Sequence, residues 1–407
     1  MSNDLEQKID EILSRSVAEI LPTREELKKN LLSGKKMRIY TGADATGTQL
    51  HIGHSTNFII LEKLRQLGHE VIILFGDFTA MIGDPTDKTA ARVRLTKKQV
   101  DENIKSWKDQ ISKIINFEDK KNPAKIVKNS EWLSKLNFSD VIDISSNFTV
   151  QRMLERDMFE KRMKEKKPIH VHEFMYPLMQ GYDSVVLDVD MEIGGTDQTF
   201  NMLTGRTLQK RYHDKEKFVL TTTLLVNPIT GEKLMSKSLG GFVALNDVPN
   251  DMFGKIMALP DETIIHVFVD CTYVSMENIK QMENDMQSGE LNPRDAKLRL
   301  AFEIVKIYHG EEKAEEAKKY FIDTFSKKEI PENIPEVTIE TESVSLVDFI
   351  VLSGNAKSKG EARRKIEQGG VEIGGQKETD WQKVLDKEFD GKVFKVGKLG
   401  FARIKFE

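Results

Sequence analysis

The residues best suited to chemistry stand in one stretch, Tyr40-Thr-Gly-Ala-Asp-Ala-Thr-Gly-Thr-Gln-Leu-His-Ile-Gly-His54. It carries hydroxyls at Thr46 and Thr48, imidazoles at His51 and His54, and glycines at 42, 47 and 53. A glycine-bearing turn feeding a helix leaves backbone N–H groups pointing at an anion, and the helix dipole favours negative charge there. Two imidazoles three residues apart on that first turn reach the same anion, and Gly53 leaves the backbone open to a flat purine. The chemistry implied is the binding of a nucleotide's phosphates. Reading His51 and His54 as metal ligands fails for want of a third ligand nearby. Two histidines opening an ordinary surface helix would explain the same four letters, so the stretch needs corroboration.

The surrounding elements place this stretch at the end of a strand. Residues 36–41 have strand character, 53–68 read as a helix and 70–75 form an apolar strand. Strands are also expected at 125–128, 191–193 and 218–226, with a helix over 197–209. Apolar runs without alternation, separated by helices, predict an α/β fold with a Rossmann-like parallel sheet covered on both faces. In such sheets nucleotides bind at the carboxyl ends of the strands, where the stretch lies. Residues 4–33 read as helical, with Thr23 and Glu26 as a capping box and Gly34 as the stop. An amphipathic helix over 95–117 reads as packing on the body.

The 407 residues suffice for several domains, and 39% hydrophobic with 31% charged content is ordinary for a globular protein. The catalytic part is expected over 1–245, with an inserted segment at about 118–185. An α-helical part follows at 246–326, then a linker at 327–343 marked by Pro331, Asn333 and Pro335. The last part, 344–407, is a small α+β unit with a capped basic helix and two Gly-Gly turns. It carries 13 Lys and Arg against 10 Asp and Glu in a chain of net charge −4, so phosphate contact must come from local patches. The single cysteine, Cys271, excludes an internal disulfide, and no apolar run approaches a membrane span. With no apolar leader at its start, the chain is expected to be cytoplasmic.

Gly231-Glu-Lys-Leu-Met-Ser-Lys-Ser238 supplies the corroboration, because with His51-Ile-Gly-His54 it resembles the HIGH and KMSKS signatures of class I aminoacyl-tRNA synthetases. Together with Ile193-Gly-Gly-Thr-Asp-Gln198, the chain resembles bacterial tyrosyl-tRNA synthetases, and 344–407 resembles their S4-like RNA-binding domain. The resemblance implies activation of L-tyrosine by ATP to tyrosyl-adenylate, then transfer to the 3′ end of tRNA(Tyr). It also implies Mg2+ carried with ATP and a homodimer formed through the inserted segment, which touches the acceptor arm with basic residues between Arg152 and Lys167.

By the same resemblance, Thr46, His51, His54, Lys88, Arg92 and Lys237 are catalytic. Asp44, Gly53, Asp197, Lys233, Met235 and Ser236 join the ATP site. Tyr40 and Asp183 pair with the substrate phenol, while Asp84, Tyr176, Gln180 and Gln198 surround its ammonium. Arg363, Arg364 and Lys365 contact RNA. Four departures touch the ATP site. Leu234 replaces the first lysine of KMSKS, Thr199 a usual tryptophan, Asp87 a common glycine, and Gly42-Ala-Asp-Ala-Thr46 the Gly-Phe-Asp-Pro-Thr pattern. Two rivals stay open at this level. One is a tryptophanyl-tRNA synthetase, against which Tyr40, Asp183 and the tail speak. The other is an impaired, RNA-binding paralogue, for which Leu234 is the only hint.

Overall fold

Five parallel strands and one antiparallel edge strand make the sheet that carries the site. They are β1 (Val17–Leu21), β2 (Arg38–Asp44), β3 (Glu70–Gly76), β4 (Lys125–Lys128), β5 (Met191–Gly195) and β6 (Phe218–Thr222). Their order is β1-β6-β5-β2-β3-β4, with β1 antiparallel to β6 and every other pairing parallel. The structure is a computed structural model describing residues 2–83, 96–235, 241–326, 334–397 and 400–406.

Burial on both faces explains the unalternating strands: every residue of Val71–Gly76 is buried. Chain order reverses between β2 and β5, so the crevice at their carboxyl ends is the topological switch point where such sheets hold ligands. Asp44 and Gly195 end those two strands.

Three expectations need correction. Residues 4–33 are not helical throughout: Ser2–Ile12 and Arg24–Leu32 are helices, but Val17–Leu21 is strand. Its partner β6 is distant in sequence, and local periodicity cannot see a pairing of that kind. The strand expected over 218–226 stops at Thr222, where the Thr223 N–H turns to the carbonyl of Ser16. The interval 327–343 is not structureless, because Glu336–Ile339 (β7) pairs in parallel with Gly400–Phe406.

Residues 1–315 and 316–407 form two compact units. After β6 the first unit is helical, with Pro249–Met257, Ile264–Cys271, Met276–Ser288 and Pro293–His309. Arg15 satisfies the end of the second of these, donating to the carbonyls of Phe268, Val269, Thr272 and Val274. The second unit packs helices Leu346–Leu352 and Lys359–Glu367 around Phe349, Ile366, Phe394 and Ile404. Its Val371–Ile373 and Gln376–Glu378 strands are joined by Gly374 and Gly375 at φ 57° and 88°, a two-residue turn requiring positive φ at both positions.

Candidate active site

β2 delivers the chain to the crevice, and the loop after it is held from one side. Helix Lys97–Ile111 aims a polar stripe at that loop: Asn103 donates to the carbonyl of Ala45, Trp107 to Gly47, and Ser106 and Gln110 to Thr48. Gln110 also accepts from the Leu50 N–H at 2.9 Å. The helix therefore does more than cover the sheet. Its amphipathic pattern hides this role, since the residues that pin the loop share its inner face with Val100, Ile104 and Ile111.

The loop ends at His51, the N-cap of helix Ile52–Gln66. His51 Nδ1 accepts from the Gly53 N–H at 3.2 Å, which puts the ring proton on Nε2 and leaves that nitrogen as a donor. The His51 N–H in turn lies 3.2 Å from His54 Nδ1, and the two rings sit 3.9 Å apart. A Cβ on Gly53 would stand 3.0 Å from the His51 ring, so this glycine makes room for the imidazole as much as for a ligand. Burial lowers His54 to about 4, which keeps it neutral near pH 7. Thr46 is exposed at the lip of the crevice.

The chain on either side of 236–240 meets the first segment. The Ile52 N–H donates to Val243 and the Leu245 N–H to Leu50, an antiparallel pairing about the His51–Ala244 bridge. Phe242 sets its ring edge-on to His51 at 5.4 Å, and Met235 Cγ lies 3.6 Å from where a Gly53 Cβ would be. Leu234 is buried, and its N–H donates to the Leu225 carbonyl. It thus anchors the loop, while its neighbour Lys233 is the cation that faces Asp197, at 3.6 Å. Asp84, Lys88, Arg92, Ser236 and Lys237 lie outside the described residues.

The candidate tyrosine residues come from β2 and helix Met175–Val186, which places Tyr176, Gln180 and Asp183 on one face. Tyr176 donates to Asp44 Oδ2 at 2.9 Å, and Thr79 donates to Asp44 Oδ1 at 2.6 Å. Gly76 permits that approach, since a Cβ there would stand 2.1 Å from Asp44 Oδ1. Asn129, fully buried, donates to both Thr79 Oγ1 and Asp183 Oδ2, and Trp132 donates to Asp183 Oδ1 at 2.7 Å. Burial pushes the Asp183 carboxyl well above its ordinary range, against the pull of the Trp132 and Asn129 donors.

Tyr40, only 1% exposed, does not hydrogen-bond Asp183; its hydroxyl lies 2.9 Å from Ser184 Oγ. Burial, with Glu192 and Asp183 nearby, pushes its phenol well above the ordinary value. Lys217, fully buried, donates to Ser184 Oγ at 2.8 Å, to the Met202 carbonyl at 3.1 Å and to Glu192 Oε2. Glu192 Oε1 accepts from Gln180 at 3.1 Å. Gln198 accepts from Asn201. Sequence reading missed Asn129, Trp132, Ser184, Glu192 and Lys217. The one available signal was charge inside apolar strands, Glu192 in Met191–Gly195 and Lys217 just before Phe218.

The family profile "tRNA synthetases class I (W and Y)" matches residues 32–326, and "Tyrosine--tRNA ligase SYY-like C-terminal domain" matches 327–398. The tyrosine--tRNA ligase of Carboxydothermus hydrogenoformans is 47% identical over 410 residues, covering 98% of this chain and 97% of its own. This chain belongs to the tyrosine--tRNA ligases. The ligase of Thermotoga maritima is 42% identical, with 97% of this chain and 96% of its own covered. Among solved structures, a truncated mitochondrial tyrosyl-tRNA synthetase from Coccidioides posadasii aligns with TM-score 0.61 at 26% identity, over 78% of this chain and 94% of its own. The Archaeoglobus fulgidus enzyme, solved with L-tyrosine, shares the fold at TM-score 0.59 and 23% identity, over 77% of this chain and 99% of its own.

In the C-terminal unit of this ligase, helix Lys359–Glu367 is capped by Ser358, which accepts from the Glu361 N–H. Arg363 stacks 3.9 Å over the Trp381 ring and pairs with Glu367. Lys365 is held by Glu361 and the Asn355 carbonyl, while Arg364 is exposed. Among the described residues no helix is long and apolar enough to cross a membrane, and no group of three or more His, Cys, Asp or Glu could hold a metal ion.

Proposed function

We propose that this chain condenses L-tyrosine with ATP to tyrosyl-adenylate and pyrophosphate, then passes the tyrosyl group to the terminal ribose of tRNA(Tyr). The observation that carries this reading is Met235, whose Cγ lies 3.6 Å from where a Gly53 Cβ would stand, supported by the pairing of Leu50 and Ile52 with Val243 and Leu245 just beyond the second segment. The tyrosine carboxylate is ionised at neutral pH, so attack on the α-phosphate needs no general base. Rate comes from positioning and from donors aimed at charge growing on the phosphate oxygens. His51, His54 and Thr46 serve one side, and Lys237, Lys88 and Arg92 the pyrophosphate. Asp197, with Lys233 beside it, takes the ribose. Asp44, Gly53, Met235 and Ser236 complete the nucleotide site, and Mg2+ arrives with ATP.

Tyr40 and Asp183 hold the phenol; Asp84, Tyr176, Gln180 and Gln198 hold the ammonium. The exposed apolar side chains Phe138, Ile142 and Val150 of the inserted segment fit a homodimer contact. Arg363, Arg364 and Lys365 with Trp381 form the RNA-facing surface of the tail, charge for phosphate beside a ring for a base. Amino-acid-dependent ATP–pyrophosphate exchange, run with all twenty amino acids, tests the reaction. Tyrosine alone should support exchange, and tryptophan-dependent, tyrosine-independent exchange would overturn the assignment.

A further inference from the structure

Beneath the pocket lies a charged cluster that no contact with substrate explains. Lys217 and Glu192 are 0% and 2% exposed, and Ser184 is 0% exposed. A buried ion pair stabilises little by itself, because desolvating both charges offsets most of their attraction. Two well-packed apolar residues would serve the fold as well, so the hydrogen bonds this pair directs are what need explaining.

An ammonium only donates, and the three N–H groups of Lys217 have three acceptors: Ser184 Oγ, Glu192 Oε2 and the Met202 carbonyl. Gly205 leaves the space for it, since a Cβ there would stand 2.5 Å from Nζ and 2.6 Å from Ser184 Oγ. With a lone pair of Ser184 occupied by Lys217, the serine's one hydrogen must find an acceptor. Tyr40 Oη is 2.9 Å away and Glu192 Oε2 is 3.5 Å away, so the nearer phenol oxygen receives it. The Tyr40 hydroxyl hydrogen is then not taken up by Ser184, and a ligand's phenol oxygen competes for it only with the Glu192 carboxylate, which already shares its charge with Lys217. On the other oxygen of Glu192, Gln180 donates its Nε2 at 3.1 Å, which turns its amide oxygen outward as an acceptor.

We infer that Lys217, Glu192 and Ser184 are positioning residues that set hydrogen-bond direction at both ends of the tyrosine site. They make Tyr40 a donor to the substrate phenol oxygen and Gln180 an acceptor for the substrate ammonium. The phenol's own hydrogen then goes to Asp183, so the hydroxyl is recognised as acceptor and donor at once. Phenylalanine can answer neither group. The inference rests on the tyrosine-activating reading above and adds residues that act only through Tyr40 and Gln180.

The test is steady-state exchange with tyrosine and with phenylalanine. Ser184→Ala cuts the link to Tyr40 and keeps the ion pair. It should raise the tyrosine KM by about ten-fold, the loss of one directed hydrogen bond, with kcat and the phenylalanine kcat/KM within about two-fold. Lys217→Met with Glu192→Gln removes both charges together and leaves no lone buried ion, and thermal melting verifies that it folds. This pair should lower the tyrosine-to-phenylalanine ratio as well. Adding Ser184→Ala to it should lower the ratio through Tyr40 no further. Equal losses for both amino acids, no change in Ser184→Ala, or additive losses in the triple variant would overturn the relay. If the paired variant does not fold, Ser184→Ala decides alone. A wild-type chain inert toward tyrosine would sink the functional reading instead, whereas an active one with unchanged variant ratios would sink only the relay.

Discussion

The two ends of the crevice are built on opposite plans. At the phenol end Tyr40, Asp183, Ser184, Glu192 and Lys217 are all buried, and each has protein partners before any ligand arrives. At the phosphate end His51, His54 and Asp44 are half-buried, and Thr46 and Lys233 are exposed. The difference follows from what each end must do. Selecting a hydroxyl needs groups that suffer when left unpaired, and only burial makes them suffer. Charge developing on a phosphate needs donors that are already oriented yet open to a bulky ligand.

The comparison can be broken at either end. The largest effect should follow Asp183→Ala, which removes a buried acceptor held by Trp132 and Asn129. The tyrosine-to-phenylalanine ratio of kcat/KM should fall by about 10³-fold or more; sites that hydrogen-bond a hydroxyl reject the analogue by about 10⁴ to 10⁵, a magnitude known from tyrosyl-tRNA synthetases themselves. An unchanged ratio would remove Asp183 from the pocket. Next, His54→Ala or Lys237→Ala should slow adenylate formation by about 10² to 10³-fold in single-turnover assays while tyrosine affinity barely moves. Equal loss of rate and affinity would contradict a transition-state role.

Gly76→Ala joins the two ends, because its Cβ would collide with Asp44 and Thr79 where the Tyr176–Asp44–Thr79–Asn129–Asp183 chain passes. It should cost about 1–3 kcal/mol in urea unfolding and raise KM for both substrates. A variant as stable as the parent would show that the crossing has slack.

His54 sharpens the contrast by its titration. In the folded chain it takes a proton only near pH 4, whereas unfolded it would do so near the ordinary imidazole value of 6.5. Between those values the unfolded chain binds more protons, so this contribution to stability is complete above pH 6.5 and is lost as pH falls toward 4. An imidazole NMR midpoint near 6.5 would refute it. The smallest effect belongs to Lys233→Ala, whose pairing with Asp197 is 3.6 Å long with the lysine 67% exposed. KM for ATP should rise only a few-fold, as for other solvent-exposed pairs.

The chain's own order of residues made several things readable without tertiary structure. The Thr23 and Ser358 caps, the apolar strand 70–75, the short strand 125–128 and the Gly374–Gly375 turn are local, written in neighbours a few positions apart. The family, too, lay in short motifs whose side chains do the chemistry. What escaped was set by partners far along the chain. β1 exists because β6 lies beside it, and β7 because Gly400–Phe406 does. Trp107 read as part of a packing face, and nothing in the sequence singled out Asn103 or Gln110 until the loop they hold was laid against them.

Residue types and spacing by themselves determined which groups can donate to a phosphate and which can pair with a phenol, because those properties belong to the side chain. Tertiary structure alone decided the direction of each hydrogen bond. Ser184, Glu192 and Lys217 are separated by 8 and 25 residues, and only folding brings their atoms within bonding distance beneath Tyr40. A hydroxyl can give or take a hydrogen, and which it does depends on every neighbour already paired with it.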